Sequence, residues 1–242
     1  MRAKLYSMSL SHPSQAARLM LERKGIEHEV VEVLAGMHPL QLRAAGFRGG
    51  TVPAMKLDGR RIQGSLRISR ALEEARPDPP LFPADKRAAV EEAEAWGERE
   101  LQPVPRRLFR WALSHDTDLR RWMAGDVVGM PAPGLVAVGY LPLSHAFARM
   151  VGATTDRARA DVAELRGKLD RVDELIATGT IGGRDLNAAD YQIATTVRVL
   201  LAYTDLRELV EDRPAGALAM RVLPDFPGPI PRTLPAQWLR AL

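Results

Sequence analysis

Polar and apolar residues alternate in the first part of the chain, and helical spacing takes over afterwards. Lys4–Met8 reads as a short strand, and Ser9–Ser14 as a polar turn containing Pro13. Gln15–Lys24 places Ala16, Leu19 and Met20 on one face, which predicts a helix that Gly25 is suited to end. Glu27–Val33 alternates and predicts a second strand. A β–α–β order implies a parallel pair joined by a right-handed crossover. Residues 36–50 are irregular, with one helical turn expected around Pro39–Ala45. Pro53–Leu57 and Arg60–Ile62 flank Asp58-Gly59, a favoured two-residue hairpin turn. Ser65 is a suitable N-cap for a helix whose stripe is Ile68, Ala71, Leu72 and Ala75.

Arg76–Ala84 contains four prolines and breaks the pattern. We place the division there: a first domain over 1–76, a linker over 77–84 and a helical domain over 85–242. Asp85–Leu101 and Arg106–Leu113 have helical spacing, with Pro103 and Pro105 interrupting between them. Leu119–Val151 is mixed and partly loop-like. Arg157–Thr178 and Asn187–Tyr203 predict long helices. The segment from Pro224 to Pro235 carries five prolines and predicts an extended end.

Composition narrows the chemistry. The 242 residues include no cysteine, which removes disulfides, thiolate metal sites and a protein-borne thiol nucleophile, and fits a cytoplasmic location. The net charge of +4 comes from arginines mixed with acids, the pattern of a solvated surface rather than of a nucleic-acid patch. It would favour an anionic small ligand. No apolar run is long enough to span a bilayer, and Met1–Leu10 has no signal-like apolar core. No metal site is expected.

Two motifs sit at strand ends: Thr51-Val52-Pro53 before the hairpin and Gln63-Gly64-Ser65 after it. With the β–α–β–β–α order, they make the chain resemble the glutathione S-transferase (GST) superfamily, in particular serine-type bacterial members. The resemblance implies an α/β thioredoxin-like N-terminal domain followed by an all-α GST C-terminal domain. It also implies a cis Pro53, with Val52 offering its backbone N–H and C=O to the cysteinyl part of glutathione, as an added strand would pair. Ser65 and the helix start behind it would take the γ-glutamyl carboxylate. The family usually places an acid before that serine. Here Gly64 stands in its place, beside the polar Gln63.

A hydroxyl in the turn after the first strand would donate to the glutathione sulfur and favour its thiolate. Alignment on Ala17–Leu21 puts Ser11 there. Ser14 is the alternative, or all the serines there serve as turn and cap residues. His12 is read as a surface or rim residue. His38 is a candidate contact for the glycyl end, with Arg43 and Arg48 as weaker ones. Phe109, Trp111, Trp122 and Met123 either wall an acceptor site or belong to the core, and Leu119–Val151 either covers that site or simply packs. Asn187 and Asp190 form a capping box of the kind that opens a buried helix in the family.

The implied function is conjugation of glutathione, or a related low-molecular-weight thiol, to hydrophobic electrophiles, as in detoxification. Glutathione would be a co-substrate, with no prosthetic group. The implied assembly is a homodimer, with neither nucleic acid nor membrane as partner. The alternative is a non-catalytic thiol-ligand-binding or protein-interaction module on the same scaffold.

Overall fold

The Asp58-Gly59 hairpin is present, with both turn residues at positive φ (46° and 87°), as a tight two-residue turn requires. The computed structural model describes residues 1–34 and 36–240. The hairpin strands are β3 (Ala54–Leu57) and β4 (Arg60–Gln63); β1 (Ala3–Ser7) and β2 (His28–Glu32) precede them. The sheet order is β2-β1-β3-β4, with β1 and β2 parallel and β3 antiparallel to both of its neighbours. Helices α1 (His12–Arg23), α2 (His38–Ala44) and α3 (Ser65–Ala75) complete this unit. One face of the sheet buries Leu5, Met55 and Ile62 with Ala17, Met20, Ile68 and Leu72 of α1 and α3. The other buries Tyr6 and Ala54 with Leu42 and Phe47.

A largely helical region follows. It comprises α4 (Arg87–Trp96), a π-helical turn at Gly97–Leu101, α5 (Pro103–His115) and α6 (Thr117–Trp122). A second π-helical turn at Met123–Val127 leads to α7 (Pro133–Gly139), α8 (Leu141–Met150), α9 (Thr155–Ala177) and α10 (Ala188–Ala202). Three short helices close the chain: α11 (Arg207–Val210), α12 (Pro214–Val222) and α13 (Ala236–Leu239). Helix α10 is almost wholly buried and packs against α1, α4 and α12. Its capping box is complete: Asn187 Oδ1 accepts from the N–H groups of Ala189 and Asp190, and Asp190 accepts from those of Asn187 and Gly182.

Several local expectations change. Helix α1 starts at His12, so Pro13 lies in its first turn, where a missing N–H costs nothing. Pro103 and Pro105 likewise open α5 rather than interrupt a helix. Gly64, not Ser65, is the N-cap of α3, at φ 95°, and Ser65 is its first residue. Residues 119–151 are mainly helical, because the buried Arg120 guanidinium satisfies the carbonyls of Leu113 and Ala137 and thereby ties α5 to α7. Helices α11 and α12 carry no expectation from the sequence. The proline-rich end is extended up to α13, and its Ile230 forms a parallel bridge with Tyr203.

Candidate functional site between the sheet domain and α5

The site is assembled where the loops after β1 and β4 face the start of the helical region. Ser11 is the N-cap of α1, yet its side chain makes no capping bond. The Ser14 hydroxyl, fully buried, donates to Ser11 Oγ at 3.0 Å. Ser11 therefore accepts from within the protein and keeps its own proton free to donate elsewhere. The other serine of the turn, Ser9, is committed to Glu32 through both its N–H and its hydroxyl.

His12 is buried, not at a rim. Its Nδ1 lies 3.1 Å from Thr196 Oγ1 on α10. That hydroxyl already donates to the Gln192 carbonyl, so His12 Nδ1–H is the donor. Burial, with Arg106 nearby, pushes its pKa down to about 3. A ring with so low a proton affinity is a poor general base near neutral pH.

The Val52–Pro53 bond is cis. Among the described residues, Val52 N–H and C=O have no hydrogen-bond partner, which leaves them available to an extended ligand. Gln63 acts on this loop: its Nε2 donates to the Thr51 carbonyl (2.7 Å), and its Oε1 accepts from Gly49 N–H (3.0 Å). A Cβ at Gly49 would lie 2.5 Å from Gln63 Oε1, so glycine is what permits the clamp. A cleft of about 470 Å³ opens beside it, lined by Gly49, Thr51, Gln63, Gly64, Arg67 and Glu98. A Cβ at Gly64 would meet nothing within 4 Å, so this residue faces open space.

Ser65 is buried, and its hydroxyl is 3.5 Å from Glu98 Oε1. Glu98 comes from the π-helical turn after α4. Gly97 allows that turn to sit against α10, where a Cβ would lie 2.9 Å from Ile193. A carboxylate thus stands next to Ser65, supplied by the helical region. The sequence reading missed it, because no local spacing links position 98 to position 65. A neighbouring carboxylate, Glu94, is fully buried against Arg70. Burial outweighs that ion pair and pushes its pKa up to about 7.

His38 opens α2 and is buried; its Nδ1 has no partner among the described residues. Its ring is 6.4 Å from that of Phe147 on α8, and the Arg110 guanidinium lies 4.8 Å from the same Phe147 ring. Burial and Arg110 both lower the His38 pKa. Arg43 and Arg48 are exposed. Trp111 is core: it stacks on His115 and packs on Trp238, each at 4.6 Å. Phe109, Trp122 and Met123 are partly buried against the same core. A second concavity of about 490 Å³ beside the cleft is lined by Arg60, Arg61, Arg67 and Arg70, and neither lining includes a serine. Among the described residues there is no cluster suited to a metal ion, and no helix is long and apolar enough to cross a membrane.

Residues 5–80 match the glutathione S-transferase N-terminal domain family. The mouse maleylacetoacetate isomerase is 39% identical over 99 residues, covering 36% of this chain and 43% of that protein. The chain thus spans less than half the length of this curated relative in the matched region. Over the whole chain the fold agrees with a GST from Rhodospirillum rubrum F11 (23% identity, TM-score 0.57, 99% of each chain). It also agrees with rice GST1 in complex with glutathione (18% identity, TM-score 0.55, 94% of this chain and 92% of that one). The chain therefore carries a match to the glutathione S-transferase N-terminal domain over residues 5–80, joined to a helical region in the overall fold of solved GSTs.

Proposed function

We propose that the chain is a glutathione-dependent enzyme in which Ser11 activates the thiol of the bound tripeptide. The observation that carries this reading is the Ser14-to-Ser11 hydrogen bond, which leaves the Ser11 proton at the start of α1 without a partner among the described residues. Donated to sulfur, that proton stabilises the thiolate, and the helix terminus adds to the effect. The backbone of Val52 pairs with the cysteinyl residue. Ser65 and the N–H groups opening α3 take the γ-glutamyl carboxylate. Glu98 replaces the acid missing at Gly64 and holds the ligand's ammonium group. Gln63 sets the loop rather than contacting ligand, and His38 lies toward the glycyl end.

The thiolate then attacks an electrophilic carbon, forming a C–S bond as a leaving group departs with its electron pair or as the π pair of an activated double bond moves onto its electron-withdrawing group. The reactions to assay are displacement, addition and, given the name of the curated relative, isomerisation of an activated double bond. Pairing of two copies belongs to the same reading and is tested by light scattering over a range of concentrations.

Gly64 favours a second reading, a binding module that holds the thiol ligand without turnover. Calorimetric titration with glutathione, followed by an assay with 1-chloro-2,4-dinitrobenzene, separates the two. The enzyme reading expects saturable binding, and turnover that collapses in Ser11→Ala while binding persists. Binding without turnover in the unmodified protein selects the module, and no binding at all overturns both.

A further inference from the structure

Three arginines line the start of α5, and only one of them is spent. Arg107 makes a bidentate pair with the buried Asp161, both contacts at 2.6 Å. Arg106 and Arg110 are one turn apart on a common face, and neither makes a side-chain hydrogen bond or ion pair among the described residues. Two like charges at this spacing repel, so the pair costs stability unless something answers it.

Arg106 keeps much of its side chain accessible, yet it is crowded enough that burial, then Arg110 and Arg107, lower its pKa. Arg110 packs on Phe147, next to His38, whose buried Nδ1 has no partner. The two histidines that face these arginines from the sheet domain, His12 and His38, are both biased toward the neutral form. The acid near Arg106 is Glu98, already placed beside Ser65. Among the described residues, the positive charge of Arg106 and Arg110 is therefore left without an ion-pair partner where α5 faces these histidines, with the Phe147 ring beside it.

We propose that the acceptor side of the cleft binds an electrophile bearing a carboxylate, held by Arg106 and Arg110 with its apolar body against Phe147. This deepens the glutathione-dependent reading and rests on it. A guanidinium presents a planar fork that matches a carboxylate in a bidentate pair, and a cleft strengthens the pair by limiting water. Hydrophobicity alone would then not define the substrate.

The test uses 4-chloro-3,5-dinitrobenzoate and its methyl ester, with glutathione at saturation. In both, the thiolate forms the C–S bond, chloride leaves with the C–Cl electrons, and the thiol proton goes to solvent. Each rate is divided by its uncatalysed rate, and the ratio of benzoate to ester kcat/KM is the readout. The expected ratio is about tenfold or more in favour of the benzoate, falling about tenfold in the Arg106→Gln, Arg110→Gln double variant and with added salt. Arg106→Lys should keep part of the preference. An unchanged ratio overturns the proposal, and so does a rise in the KM for glutathione with the ratio held, since the arginines would then be serving the thiol ligand. Calorimetry with unreactive 3,5-dinitrobenzoate on the glutathione-loaded protein does not depend on turnover. Binding lost in the double variant supports the acceptor site even if the enzyme reading fails, and absence of binding in the unmodified protein overturns it.

Discussion

The Ser14 hydroxyl donates to the Ser11 hydroxyl across 3.0 Å, while Ser11 makes no capping bond of its own. The relationship orders the two serines. Ser11 is the outer donor, and Ser14, fully buried, orients it. Ser11→Ala is expected to lower kcat/KM about a hundredfold, the scale of losing one donor to a developing anion. Ser14→Ala is expected to cost about fivefold, the scale of one neutral hydrogen bond. A larger loss in Ser14→Ala than in Ser11→Ala would reverse the assignment. The ultraviolet absorbance of bound thiolate, followed against pH, gives the same ordering without turnover.

Gln63 clamps the loop that carries Val52. Gln63→Ala should therefore raise the KM for glutathione several-fold with little change in kcat, because the ligand-pairing backbone loses its support. Gly49→Ala should act in the same direction, since its Cβ would lie 2.5 Å from Gln63 Oε1. Steady-state kinetics checks both, and a kcat effect with unchanged KM would count against the clamp.

Asp190 is fully buried and accepts two backbone N–H groups, those of Gly182 (2.6 Å) and Asn187 (2.8 Å). An ordinary cap loss costs about 1 kcal/mol. Here two donors would be stranded, that of Asn187 buried and that of Gly182 partly buried, and the expected loss for Asp190→Ala is about 2–4 kcal/mol. Urea unfolding measures it, and a change below about 1 kcal/mol would show that the box is dispensable.

Glu94 gives a pH dependence with a definite sign. Its folded pKa is pushed up to about 7 by burial, above the ordinary carboxylate value. The folded state therefore binds the proton more tightly. The stability this contributes is complete below the ordinary carboxylate value and is lost as pH rises through about 7. His12, depressed to about 3, acts with the opposite sign, since its contribution is lost as pH falls. The quantity to measure is thus the Tm of Glu94→Gln minus that of the unmodified protein. It should increase between about pH 5 and about pH 8. A flat difference would mean that the Arg70 contact keeps Glu94 ionised throughout.

The sheet unit was readable because its signals are local. The alternation in Glu27–Val33, Asp58-Gly59 in a tight turn and the apolar stripe of α3 each specify an element from adjacent residues. Residues 119–151 were less readable, because Arg120 ties them together through carbonyls at positions 113 and 137. His12 was misplaced for a similar reason: whether a histidine beside a turn is exposed depends on Thr196, far along the chain.

The amino-acid sequence by itself determined the strand and helix order of the first unit, the Val52–Pro53 and Ser65 elements and the Asn187–Asp190 box. It also determined the absence of any protein thiol. Each depends on residue type and short-range spacing, which survive in one dimension. Only the tertiary structure decided that Glu98 stands beside Ser65, that Ser14 serves Ser11, and that Arg106 and Arg110 make no ion pair among the described residues while Arg107 is spent on Asp161. These are facts of charge and burial between distant segments. A charge acquires its meaning from what folding places within hydrogen-bond reach of it and from how much water folding leaves there.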